Sequence, residues 1–270
     1  MAESAGHAHS RRSVFRGAAV VTGGVLVGGL AGHAFPVQAA TVSMAPEPNV
    51  RTRADWGARA PSSPAQVLDR APANIVVHHT ATANQSDTSW AAAAALSRAI
   101  QNYHMNTNGW ADTGQQLTIS RGGHIMEGRN RSLPAIRAGD HVVGAHVANY
   151  NSSTIGIENE GLYTSATPPA VMINALVATC AWLCTVYGLA PSRIVGHRDF
   201  NATACPGNVL YGMLPTIRQR VADTLAANGV RIPAQAALAP QERPAFPLTP
   251  ERPETARFDH GPALGAGERG

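Results

Sequence analysis

One loop, Gly196-His197-Arg198-Asp199-Phe200-Asn201-Ala202-Thr203-Ala204-Cys205-Pro206-Gly207, carries an imidazole and a thiol eight residues apart. Two further imidazoles, His78-His79, follow the apolar run Asn74-Ile75-Val76-Val77. Both histidine sites stand at the end of a short apolar segment that reads as a buried strand. A histidine and a cysteine on one loop signify little by themselves. If the two strands lie in one sheet and end at the same edge, His78, His197 and Cys205 converge. Two imidazoles and one thiolate suit a catalytic zinc site with its fourth position open to water, and the mixed N/S donor set favours zinc over harder cations.

Hydrolysis at such a site needs a proton acceptor. The segment Ile155-Gly156-Ile157-Glu158-Asn159-Glu160 offers two carboxylates, which strand alternation places together on the face opposite the isoleucines. Periodicity does not choose between them. The hydroxyl of Thr203 can bond its own loop. Asp199 either orients His197 or caps the loop.

These residues need elements to hold them. Residues 74–79, 117–120, 124–127, 142–146, 154–160 and 193–196 read as strands, with 117–127 as a hairpin about Arg121-Gly122-Gly123. Thr88 or Ser89 caps a helix to about residue 105, with Trp90, Leu96, Ile100 and Tyr103 at helical spacing. Pro168-Pro169 open a second helix, which Gly188 stops, and a third runs over about 210–227. Strands interleaved with helices predict an α/β domain with a central mixed β-sheet flanked by helices. Trp56 is an early packing anchor of that domain. Cys180 and Cys184, four apart on the second helix, read as buried thiols rather than a disulfide.

The ends are different. Ser10-Arg11-Arg12-Ser13-Val14-Phe15-Arg16, an apolar run over 17–30 and Val37-Gln38-Ala39 together resemble a twin-arginine export signal, residues 1–39. The run is shorter than the roughly 20 residues that span a bilayer, so a cleaved signal rather than an anchor is expected. Residues 40–50 read as a loose leader, 51–230 as the domain. Residues 231–270 are rich in Pro, Ala, Glu and Arg, with five arginines against five acidic residues. They read as a disordered tail. The formal charge is +4, all of the basic total being arginine, and residues 1–39 contribute half of it. Such a charge leaves no basic footprint for nucleic acid.

The chain resembles the zinc N-acetylmuramoyl-L-alanine amidases of the second type and the related peptidoglycan recognition proteins. The resemblance rests on Arg53-Ala54-Asp55-Trp56-Gly57-Ala58, Val77-His78-His79-Thr80, Tyr103-His104 with Gly109-Trp110-Ala111-Asp112-Thr113-Gly114, Arg121-Gly122-Gly123, Glu127-Gly128-Arg129, Gly144-Ala145-His146, Tyr150-Asn151, Ile155-Gly156-Ile157-Glu158 and the loop from His197 to Gly207. It implies one zinc per chain on His78, His197 and Cys205. It implies cleavage of the amide between N-acetylmuramic acid and L-alanine in peptidoglycan by an exported monomer. Gln115 stands where many members carry a tyrosine; the branch acting on anhydro-muropeptides lacks it too and uses a glutamate, which matches Glu158. The resemblance further places Thr203 at the scissile carbonyl, and Gln115, His146 and Asn151 at the groove as substrate contacts. The rival reading is a peptidoglycan-binding receptor without activity; Cys205, which such relatives lose, favours the enzyme, and Gln115 favours the receptor.

Overall fold

Two parallel six-residue strands, β3 (Asn74–His79) and β7 (Thr154–Asn159), form the centre of the protein, and every residue of both is buried. The computed structural model describes residues 43–237, 258 and 260–270. The expected signal over 1–39 lies outside the described residues.

Around that pair the main sheet runs β1-β5-β4-β7-β3-β8, with β1 Val50–Arg51, β4 Leu117–Ile119, β5 Ile125–Glu127 and β8 Ile194–Gly196. Only β4 and β5 pair antiparallel, as the expected hairpin; the other pairings are parallel, so the sheet is mixed. A separate antiparallel pair joins β2 (Val67–Leu68) to β6 (His141–Val142).

One face of the main sheet is apolar. Ile75, Val77, Ile155, Ile157 and Ile194 are fully buried in the core cluster with α3 (Ala170–Tyr187) and α4 (Asn208–Ala227). α3 is long and apolar enough to cross a membrane, with mean hydropathy 1.8, but most of it is buried inside the protein. Gly188 ends it at φ 65°, a left-handed cap that costs glycine little. Cys180 and Cys184 are buried free thiols; burial pushes Cys184 up to about 12 and Cys180 well above the ordinary thiol range. At that depth neither forms a thiolate.

The helix α1 (Trp90–Asn106) begins at Ser89, whose hydroxyl accepts from the Ala92 amide. Trp56 is buried and donates its indole N–H to the Glu127 carbonyl, as its reading as an anchor requires.

Three expectations need correction, and one helix went unread. Residues 143–146 are irregular, bent chain rather than strand, because β6 pairs only with β2 and ends at Val142. Helix α2 (Ser132–Ala138) gave no apolar periodicity long enough to read. The leader is not loose at its end: Ala45 is buried, its amide donates to Thr185, and Val50 pairs with Ile125. Most consequential, the tail is not structureless throughout. Gln235 bonds Gly188 and Ala190, and residues 260–270 lie hydrogen-bonded along the domain. The groups they meet were donors and acceptors already fixed by the fold, which composition does not reveal.

Candidate metal centre

Sheet register builds the site. In the parallel ladders His78 lies opposite Glu158 on β7, and Val77 opposite Gly196 on β8. The residue after Gly196 therefore emerges beside His78 at the carboxyl edge of the strands, where open α/β sheets carry their sites. That residue, His197, starts a single 3-10 turn, His197–Asp199.

The turn is braced from within. Asp199 accepts the Gly196 amide at 2.9 Å and the Tyr211 hydroxyl at 2.6 Å. Arg198 bonds the carbonyls of Ala204 and Cys205, reaches Asn208 at 2.9 Å, and lies over the Tyr211 ring. The guanidinium thus folds the loop back and delivers Cys205 to His78. Asp199 holds the loop. The partner of His197 is Asn201, whose Oδ1 lies 3.0 Å from Nε2; a loop asparagine four residues on gave no readable signal for that role.

His78, His197, Cys205 and His260 bring one ligand atom each within 4.8 Å of one another, all four wholly or almost wholly buried. Hydrogen bonding fixes which atoms these are. The Thr154 carbonyl is an acceptor only, so His146 Nε2, 3.2 Å away, carries its proton and Nδ1 is left to accept. His78 Nε2 lies 3.0 Å from that Nδ1 and donates to it. The free lone pair of His78 is therefore on Nδ1, which faces Cys205 Sγ at 3.6 Å. His197 Nε2 likewise donates, to Asn201 and to the Pro262 carbonyl, leaving its Nδ1 3.4 Å from Nδ1 of His260.

Burial keeps His78, His146 and His197 neutral. It pushes His78 and His146 well below the ordinary imidazole range, with neighbouring imidazoles adding to the effect, and lowers His197 to about 3, with His260 the next cause. Neutral imidazole is the ligating form. Tetrahedral zinc, with bonds of about 2.0–2.1 Å to nitrogen and about 2.3 Å to sulfur, sets nitrogen–nitrogen gaps of about 3.4 Å and nitrogen–sulfur gaps of about 3.6 Å. The donor set fits zinc in chemistry, and the His78–Cys205 and His197–His260 gaps match that spacing.

The remaining site residues fall into two groups. Glu158 is beside the cluster, its Oε1 3.0 Å from His260 Nε2, while Oε2 has no hydrogen-bond partner among the described residues. Glu160 lies past the end of β7, and its carboxylate turns away to accept the Arg121 amide at 2.7 Å. Thr203 accepts the Cys205 amide and donates to the His260 carbonyl. Gln115 bonds the hydroxyl of Thr118, the cross-strand neighbour of Glu158. Asn151 accepts the amides of His146 and Val147 and donates to the Ala263 carbonyl.

His146 does not face the groove: it lies behind His78 and buttresses it. Gly156 makes room for it, since a Cβ there would sit 2.8–2.9 Å from the His146 ring. The glycine of Ile155-Gly156-Ile157-Glu158 is thus a packing requirement of the metal centre. His104 and His141 are buried structural residues, His104 accepting the Gly114 amide and His141 donating to the Asn151 carbonyl. His260 was read only as part of the tail.

A mixed sheet flanked by helices, with two histidines and a cysteine at its carboxyl edge, defines the amidase and peptidoglycan-recognition class of α/β domain. The family model described as N-acetylmuramoyl-L-alanine amidase matches residues 68–208, just over half of the chain, and the chain belongs to that family. It is 31% identical over 171 residues to a human N-acetylmuramoyl-L-alanine amidase, covering 63% of this chain but only 28% of the relative. It is 32% identical over 166 residues to peptidoglycan-recognition protein SC2 of Drosophila melanogaster, covering 61% of this chain and 84% of that one. Among solved structures, Drosophila PGRP-LB superposes with TM-score 0.54 at 27% identity, covering 62% of this chain and 92% of that chain. A mutant of PGRP-LB has been solved in complex with tracheal cytotoxin, with TM-score 0.54 at 26% identity, covering 65% and 96%.

Proposed function

We propose that the protein is a zinc hydrolase that cleaves the amide between N-acetylmuramic acid and L-alanine in peptidoglycan. The observation that carries the proposal is the convergence of His78 Nδ1, His197 Nδ1 and Cys205 Sγ beside the carboxylate of Glu158. His78, His197 and Cys205 would hold the ion, one per chain. A zinc ion bound there supplies Lewis acidity, which activates a water and polarises a carbonyl.

The protein groups divide the remaining work. His146 and Asn201 keep the two imidazoles in the ligating tautomer. Glu158 takes the proton of the attacking water and returns it to the leaving amine. Thr203 Oγ1, two residues before Cys205, donates to the carbonyl oxygen as negative charge develops on it. Asn151 presents its side-chain N–H to the peptide carbonyls of the stem. Arg11-Arg12 and the apolar run over 17–30 support export by the twin-arginine route as part of the same proposal.

Purified peptidoglycan digested with and without a chelator, with fragments identified by mass, tests the reading. Release of free stem peptides, abolished by the chelator and restored by zinc, is expected. Binding to peptidoglycan with no released peptide from the zinc-loaded protein would establish the receptor reading instead.

A further inference from the structure

Glu158, His78, His197 and Cys205 are each fully buried, yet a hydrolase acting on a wall polymer must expose its metal centre. The cover is the segment 260–270. His260 reaches the cluster with both ring nitrogens engaged: Nδ1 lies 3.4 Å from His197 Nδ1, and Nε2 lies 3.0 Å from Glu158 Oε1. One imidazole therefore stands at the fourth ligand position and against the candidate base.

Downstream residues take the groove's polar groups. Thr203 donates to the His260 carbonyl at 2.6 Å, the Ala148 amide to the Pro262 carbonyl at 3.1 Å, and Asn151 to the Ala263 carbonyl at 2.8 Å. Glu268 anchors the far end, accepting from the amides of Asn149 and Gly265 and from Asn151. Ala111 donates to the Gly270 carbonyl. The fit also depends on glycine. At Gly261, with φ +114°, a Cβ would sit 2.6 Å from Thr203, and Cβ atoms at Gly265 and Gly270 would collide with Asn149 and the Trp110 ring. The cleft of about 280 Å³ left beside Trp110 is walled by the segment itself, through His260, Gly261, Ala263 and Leu264, together with Phe258.

We propose that residues 260–270 are an intrasteric occupant of the catalytic groove, with His260 as a fourth protein ligand that closes the metal site until the segment is displaced by peptide substrate. The proposal rests on the zinc-hydrolase reading. A catalytic zinc site keeps a position open, whereas four protein ligands make a closed one. The backbone carbonyls of 260, 262 and 263 then mark where the carbonyls of a bound stem peptide lie.

The test uses the full-length chain loaded with Co(II) in place of zinc, read by visible absorption, alongside protease sensitivity of residues 258–270. His260→Ala should change the cobalt spectrum and expose the segment. Glu268→Ala and Gly261→Ala keep the imidazole but loosen its anchor, and should shift the same two signals partway. If the open form is a minor state of about 1–10%, kcat/KM of the zinc-loaded variants on a soluble muropeptide should rise on the order of 10–100-fold. An unchanged spectrum and an unchanged cleavage pattern in His260→Ala would overturn the proposal. So would a fall in kcat/KM in all three variants, which would make the segment part of the working site. A changed spectrum and a released segment, with no peptide freed by any variant, would uphold the occupancy and overturn the hydrolase reading alone.

Discussion

His78 Nε2 donates to His146 Nδ1 at 3.0 Å, and His146 in turn donates to the Thr154 carbonyl. This chain makes a ring that touches no ligand atom decide which nitrogen of His78 is free. His146→Phe fills the space but cannot accept, so zinc affinity should fall about 10–100-fold with the fold retained. His146→Asn keeps an acceptor near the δ position and should recover part of the loss. Competition with a chromogenic chelator measures both, and equal affinity in all three proteins would refute the relay.

Cys205 is the ligand candidate with no substitute in its loop. Cys205→Ala should abolish zinc binding at stoichiometric metal and with it peptidoglycan cleavage. Metal analysis of the dialysed variant is decisive: full occupancy would remove Cys205 from the donor set.

Glu158 and Glu160 are two residues apart, but only Glu158 lies against the cluster. In a His260→Ala background, Glu158→Gln should bind zinc normally and lose about 10²–10⁴ in kcat, about 3–5 kcal/mol of barrier. Glu160→Gln replaces a charged acceptor of the Arg121 amide by a neutral one and should alter stability more than kcat. Rates compared at matched zinc content separate the two; a dead Glu160→Gln beside an active Glu158→Gln would exchange their roles.

Gly156→Ala should act as a weakened form of His146→Phe, because the new methyl pushes on the ring from beneath. The expected result is a folded protein with reduced zinc affinity. A variant with native affinity would show that the ring tolerates displacement.

Stability should depend on pH through His141. Burial lowers its pKa from 6.5 to about 4, outweighing its hydrogen bond to the Asn151 carbonyl. Between these values the unfolded chain binds a proton that the folded chain does not. The group's contribution is therefore fully present above about pH 6.5 and lost as pH falls toward 4. His141→Gln, which keeps a donor at the ε position, should flatten the fall of unfolding free energy by up to about 1.4 kcal/mol per pH unit in that window. Denaturant titrations at several pH values check it, and an unchanged slope would place the proton uptake elsewhere.

Elements with a local physical cause were legible in the sequence. β3 and β7 are short apolar runs, α1 has its Ser89 cap, α3 has its apolar stripe and Gly188, and the ligands His78, His197 and Cys205 follow from such elements together with the resemblance. Elements whose cause is a distant partner were not. β1 exists because Val50 finds Ile125, β2 because Val67 finds Val142, and neither two-residue strand carries a period. Register, too, belongs to the tertiary structure: only the pairing of His78 with Glu158 separates Glu158 from Glu160, and only packing on Gly156 sends His146 behind the metal centre instead of into the groove.

Segment 260–270 shows the division most clearly. Its composition correctly says that it has too little apolar surface to build a core of its own. Docking requires no core of its own, only backbone carbonyls, one imidazole, one carboxylate and three glycines that match a groove already made by residues more than fifty positions earlier in the chain. The sequence determined by itself which side chains could bind a metal and which strands would present them. Where His260 goes was decided by the tertiary structure, because the complementarity lies between two surfaces, and each is defined only once the chain has folded.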